Sequence, residues 1–269
     1  MKILQNKYIR YLSGFFYLLI ILFCFWHSKL LLLLVSFVFI FFSLKEYDSM
    51  FKNRNIHIHK ICACLISFIL SYIFIYRVND FYKLCIMLLL MGFIVPFILT
   101  VVKNRKPYIE TIFSTTSFIM FVFSGLFIIK LQSIQHDSLN ILLAYCLCIL
   151  ISDYVASVLG QKFKNPIFFV QEISPKKTLN GAFFHMLSSC FFMGIISNAI
   201  NLSPFRGIIL GFLISLSAQF GDLALSCIKR ELNIKHSSNL FLEYGGIFDR
   251  IDAFIFSAHL TYYYLEYMY

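Results

Sequence analysis

The sequence predicts an all-α protein: a polytopic transmembrane helical bundle of about nine spans, with the N terminus inside and the C terminus outside. Three observations carry this. First, 60% of the 269 residues are hydrophobic and only 13% are charged, against about 45–50% and about 25% in a soluble globular domain. Second, the apolar residues fall in unbroken runs, not in the alternating segments of about ten residues that an outer-membrane barrel needs. Third, the basic residues are shared unevenly between the two sides that the runs define. A mean hydropathy of +0.81 excludes a water-soluble enzyme, a disordered chain and a secreted disulfide scaffold.

In order, the runs lie at about 11–26, 30–44, 61–76, 84–102, 111–129, 139–160, 181–200, 204–222 and 251–268. Several are shorter than the ~20 residues of an average span. The first follows Lys2, Lys7 and Arg10, as in a signal peptide. No small-residue cleavage site follows and a second run begins at once, so it reads as a retained helix. Trp26 and His27 suit an interfacial anchor at the first outer turn, and Tyr262, Tyr263, Tyr264, Tyr267 and Tyr269 suit an aromatic belt at the end of the last run. His57 and His59 read as a solvated loop. Of the 23 Lys and Arg, only Lys29, Arg77, Lys83, Lys130 and Arg206 fall on the outer side. One missed or invented span would reverse every later loop, so this asymmetry supports the segmentation and its orientation. The eight cysteines sit in or beside apolar runs and read as apolar packing. A formal net charge of +10, concentrated in short loops, points to membrane topology and phosphate binding, with no nucleic-acid partner.

The chemistry is expected in the C-terminal region, 139–269, with cytoplasmic loops 161–180 and 223–250; residues 1–138 form an N-terminal transmembrane region. Most acids sit in loops, but Asp153 and Asp222 lie near the inner ends of the sixth and eighth runs, and acids inside membrane spans are functional candidates. Around them stand Ser174, Lys176, Lys177 and Thr178 in one loop, and Lys229, Arg230, Lys235, Gly245, Gly246, Asp249, Arg250 and Asp252 in the next. Carboxylates at a membrane mouth can hold Mg²⁺ together with substrate phosphates. Nearby Lys and Arg can neutralise phosphate oxygens and a departing pyrophosphate. A Gly-Gly pair lets backbone approach a phosphate closely. The ensemble fits phosphoryl or nucleotidyl transfer to an acidic lipid, with the acyl chains left in the lipid bilayer.

Residues 226–252 resemble the signature of the phosphatidate cytidylyltransferases, or CDP-diacylglycerol synthases. Ser226, Ile228, Lys229, Arg230, Lys235, Ser238, Phe241, Gly245, Gly246, Ile247, Asp249, Arg250, Ile251 and Asp252 fall in register with it. Gly221-Asp222 looks like the Gly-Asp that precedes that signature, Ser174-Pro175-Lys176-Lys177-Thr178 with Gly181 resembles the family's Ser-Pro-Lys-Lys-Thr stretch, and Asp153 and Gly160 match the pattern before it. The specific resemblance covers about 150–255.

The resemblance implies that CTP and phosphatidate give CDP-diacylglycerol and pyrophosphate, in phospholipid biosynthesis. It implies Asp249 as the primary Mg²⁺ ligand, with Asp222 and Asp252 in support. Lys229, Arg230, Lys235 and Arg250 would hold phosphates, Ser174, Lys176 and Lys177 would close the site from the other loop, and Thr178, Gly245, Gly246 and Asp153 would join Lys235 among the binding residues. A bacterial plasma membrane, an active site facing the cytoplasm and a possible homodimer follow by the same analogy. Four positions depart from the pattern: His236 stands for Asp, Tyr244 for His, Leu242 for Pro or Gly, and Asn180 for Glu. Imidazole is a poor Mg²⁺ ligand, so a paralogue acting on another lipid phosphate and a catalytically inactive lipid- or nucleotide-binding relative stay open as alternatives.

Overall fold

The computed structural model describes residues 29–54, 56, 81–102, 107–117, 119–120, 124–131, 134, 138–160, 162, 173–174, 177–238, 246 and 248–269. The first and third predicted spans, together with Trp26, His57 and His59, lie outside them. Among the described residues every regular element is helical: α1 (Lys29–Phe51), α2 (Phe81–Val102), α3 (Pro107–Ser117), α4 (Ser124–Leu131), α5 (Ser138–Leu159), α6 (Leu179–Ile196), α7 (Pro204–Glu231) and α8 (Phe248–Met268). Among the described residues, three stretches are long and apolar enough to cross a membrane: Asn140–Leu159, Leu179–Ile200 and Pro204–Glu231. Their unpaired backbone groups would be costly in lipid, which is why such runs close their hydrogen bonds as helices.

The chain forms two compact units. The first holds the described residues up to Lys130 with His236–Arg250; the second holds Leu131–Lys235 with Ile251–Tyr269.

In the first unit, α1 runs seven residues past the expected end at 44. The stripe Ile40, Leu44, Tyr47 and Phe51 is buried at helical spacing, while Leu34, Val38, Phe41 and Phe42 are exposed. The extension is possible because Glu46 and Asp48 point inward, where both are buried. The ring of Phe51 packs on Phe113 of α3, with centroids 4.3 Å apart. α3 is amphipathic with its polar side inward: Glu110, Thr111, Ser114 and Ser117 are buried, and Ile109 and Ile112 are exposed.

Within the fifth expected span, 111–129, the described residues fall in two α-helical elements. α3 ends at Ser117 and α4 begins at Ser124. The Thr116 hydroxyl donates back to Ile112 O at 2.8 Å and the Ser117 hydroxyl to Ser114 O at 2.8 Å, and such back-bonding weakens and bends helices.

In the second unit, α6 packs against both α5 and α7. α6 and α7 approach at backbone distance, because a Cβ at Gly211 would stand 2.5 Å from Ser189 O. Gly207 and Gly211, one turn apart, form the small-residue face that lets membrane helices meet closely. The Ser189 hydroxyl donates to Gly211 O at 2.6 Å across this contact. A seven-residue connection, made of a 3-10 turn (Ser197–Ile200) and three further residues with Asn201 at φ 54°, turns α6 back into α7.

α8 lies antiparallel to α7: near its end, Tyr264 donates to Arg206 O at 3.0 Å and Tyr269 to Ile200 O. Not all of the predicted tyrosine belt faces outward, since Tyr262 is buried and donates to Glu266 at 2.9 Å. The expected loop 223–250 is shorter at both ends. α7 continues to Glu231 and α8 starts at Phe248, because a helix that leaves the apolar layer still keeps its backbone bonds.

Candidate functional site

The polar residues of the second unit gather at the end of α7 opposite Pro204. At ~1.5 Å per residue, Asp222 lies about 27 Å along the axis from Pro204, close to the thickness of a hydrocarbon core. Gly221, beside it, presses against α8: a Cβ there would stand 2.8 Å from Asp252 O and 2.8 Å from Phe256 Cδ2. That close approach brings Asp222 within electrostatic reach of Asp252, which also feels Lys229 and Asp153.

Lys177 meets Asp222, with Nζ 2.5 Å from Oδ2, and the Ser226 hydroxyl donates to Oδ1 at 3.4 Å. Thr178 aims that lysine. Its hydroxyl caps α6 by accepting from Gly181 N at 3.0 Å, and it donates to Gly160 O at 3.2 Å. The start of α6 is thereby tied to the end of α5. Lys229, in the last turn of α7, is buried. Arg230 is turned to structural work: Nε donates to Ile173 O at 3.0 Å and Nη1 to Ile234 O at 3.3 Å. Ser174 accepts at its carbonyl from Lys177 N at 3.1 Å, and Lys235 is exposed. Lys176 and Gly245 lie outside the described residues.

Sequence reasoning missed a polar chain that holds Asp153. His185 of α6 places Nε2 3.2 Å from Asp153 Oδ1 and Nδ1 2.7 Å from Ser215 Oγ. Gln219 in turn donates to Ser215 Oγ at 2.9 Å. One tautomer satisfies every link: Gln219 donates to Ser215, Ser215 to Nδ1, and Nε2–H to Asp153. The available signal was an imidazole, a hydroxyl and an amide inside apolar runs, where no water solvates them.

The first unit holds Asp249, in the first turn of α8. Its Oδ2 accepts from Ser237 N at 2.9 Å, Ser237 Oγ at 3.1 Å and Gly246 N at 3.2 Å. His236, which replaces the expected Asp, has Nδ1 3.9 Å from the same oxygen. Gly246 is approached by a carboxylate of this chain: a Cβ there would overlap Glu46. Arg250 follows in the first turn of α8.

Among the described residues no group of three or more His, Cys, Asp and Glu is placed to hold a metal ion. The donors that do gather, Asp222 and Asp252, are all-oxygen. They suit Mg²⁺, which takes one or two carboxylates and completes its shell with water and substrate phosphates.

The model of the cytidylyltransferase family matches residues 8–268. The chain belongs to that family. Among its relatives, the phosphatidate cytidylyltransferase of Aquifex aeolicus is 34% identical over 151 residues, 56% of this chain and 56% of that protein. That of Helicobacter pylori strain 26695 is 31% identical over 154 residues, 54% of this chain and 56% of its own. The uncharacterized protein YnbB of Escherichia coli is 31% identical over 143 residues, 53% and 47%. The chain spans about half the length of the curated relatives it matches.

Proposed function

We propose that this chain transfers the cytidylyl group of CTP to phosphatidate, forming CDP-diacylglycerol and pyrophosphate. The observation that carries the reading is the Lys177–Asp222 pair set beside Asp252 and Lys229 at one end of α7, in a chain of the cytidylyltransferase family. A lipid phosphate oxygen attacks the α-phosphorus of CTP. The bond from that phosphorus to the bridging oxygen breaks, and pyrophosphate leaves with the electron pair. Lys177 and Lys229 neutralise phosphate charge as it shifts to the leaving group. Asp222 and Asp252 would hold Mg²⁺, which when bound would lower the negative charge on the triphosphate. Asp249 enters the proposal from its place in the sequence pattern, as the expected primary ligand of that Mg²⁺. The apolar flank of the helices keeps the diacyl chains in lipid while only the headgroup reaches the carboxylates. The site faces the cytoplasm, the side that supplies CTP, in the plasma membrane of a bacterium.

The test is lipid-linked CMP formation by the purified chain in detergent micelles containing phosphatidate, with labelled CTP and Mg²⁺. Wild type is expected to form product, EDTA to stop it, and Asp222→Asn to lower kcat by about a hundredfold or more. Absence of product from wild type, under conditions where the Aquifex aeolicus relative is active, would refute the reading.

A further inference from the structure

Glu46 stands near the end of α1, separated in sequence by 191 to 202 residues from the groups it binds. It is 3% exposed. Oε2 accepts from Phe248 N at 2.9 Å and from Ser237 Oγ at 3.2 Å, and Oε1 accepts from Ser238 Oγ at 2.9 Å. Phe248 is the first residue of α8, so its N–H is one of the donors that a helix start leaves without an internal partner. A carboxylate there is favoured by the helix dipole as well as by the hydrogen bond. Glu46 thus caps α8 from a distant part of the chain, while Asp249 reaches back from within that helix to Gly246 N.

Ser237 joins the two carboxylates. Its hydroxyl lies 3.2 Å from Glu46 Oε2 and 3.1 Å from Asp249 Oδ2, yet it carries one proton and can donate to only one at a time. Its backbone N–H donates to Asp249 in either case. When the hydroxyl serves Glu46, Asp249 keeps the two backbone donors of Ser237 and Gly246. Without Glu46 the hydroxyl turns to Asp249, and the bonds from Ser238 and Phe248 are lost together.

We propose that Glu46 is a positioning residue for the transfer reaction, anchoring Ser237, Ser238 and the start of α8 so that Asp249 is presented in one fixed orientation. The proposal rests on the reading of the chain as a cytidylyltransferase in which Asp249 acts. Glu46 touches no substrate in this scheme. It acts through Ser237 and through the helix start, so its removal lowers turnover and loosens metal dependence more than it changes substrate affinity.

Glu46→Gln decides between this role and simple packing, because glutamine has the same shape but no charge and one acceptor oxygen fewer. In the micellar assay it is expected to lower kcat by about tenfold to a hundredfold. The Mg²⁺ concentration for half-maximal rate is expected to rise by about threefold or more, and KM for phosphatidate to stay within about twofold. Glu46→Asp, which keeps the charge, is expected to recover part of the rate. Hydrogen–deuterium exchange of the full-length protein reads the same anchor without any assay of turnover. The segments carrying Ser237–Ser238 and Phe248 are expected to exchange about tenfold faster in Glu46→Gln than in wild type. Wild-type kcat, Mg²⁺ dependence and exchange in Glu46→Gln would overturn the proposal. Wild type without turnover would overturn the transferase reading instead, and the exchange experiment would then decide whether Glu46 holds these segments. Should Glu46→Gln not accumulate in the membrane, Ser237→Ala reads the same link: unchanged kcat and exchange there would also overturn it.

Discussion

Adding a single methyl group at Gly221 tests the α7–α8 contact that brings Asp222 to Asp252. The Cβ of Gly221→Ala would stand 2.8 Å from Asp252 O, 2.8 Å from Phe256 Cδ2 and 3.2 Å from Phe256 Cβ. Comfortable contact lies near 3.5 Å, so the two backbones must part by about 0.7 Å. Phe256 can turn aside, but a backbone carbonyl on a helix cannot. Two effects oppose each other in stability. Alanine favours a helix over glycine by about 1 kcal/mol, and overpacking costs about 1–3 kcal/mol. The carbonyl contact makes overpacking the larger effect, so Tm in detergent should fall, by about 2–4 °C per kcal/mol of net loss. The same displacement acts on the spacing of Asp222 and Asp252, where a shift approaching 1 Å costs up to about a hundredfold in rate. The expected result is a lower Tm and a kcat reduced by at least about tenfold. A raised Tm with unchanged kcat would show that helix propensity had won, and that α7 and α8 do not meet through the backbone at Gly221.

Two further substitutions separate binding from scaffold. Lys177→Met removes the partner of Asp222; both ends of the pair are about a third exposed, with side-chain accessibilities of 31% and 38%, so stability should change by less than about 1 kcal/mol. Its kcat/KM for CTP should nevertheless fall by about tenfold or more, and an unchanged value would remove Lys177 from the site. His185→Phe removes the acceptor of the buried Ser215 hydroxyl and the donor to Asp153, at a cost of about 1–3 kcal/mol. A Tm equal to wild type would argue against the Gln219–Ser215–His185–Asp153 chain.

The apolar helical character was legible because it depends on local averages. Runs 84–102, 139–160, 181–200 and 251–268 correspond within a few residues to Phe81–Val102, Ser138–Leu159, Leu179–Ile200 and Phe248–Met268. Each is an apolar stretch whose backbone must pair with itself wherever it enters lipid. The cytidylyltransferase pattern was equally legible, since it is carried by residue identities at fixed spacing within 226–252. Lys177 and Asp222, forty-five positions apart, were both marked as candidates from composition and context alone, and the fold pairs them.

Charge next to an apolar run was the misleading signal. Lys45-Glu46 looked like the end of a span and Lys229-Arg230 like part of a loop, yet α1 and α7 continue through both. Whether a polar side chain ends a helix or is buried in it depends on its partners, and those of Glu46 lie 191 or more residues away. The same holds for His185, whose partners come from α5 and α7. Gly246, expected to receive a phosphate, is met by Glu46. The sequence by itself determined which segments are helical and apolar and which acids and bases are available for chemistry, because hydropathy and motif spacing are local properties. Only the tertiary structure decided which carboxylates meet which donors, because hydrogen bonds and backbone close contacts are made between residues that the sequence keeps far apart.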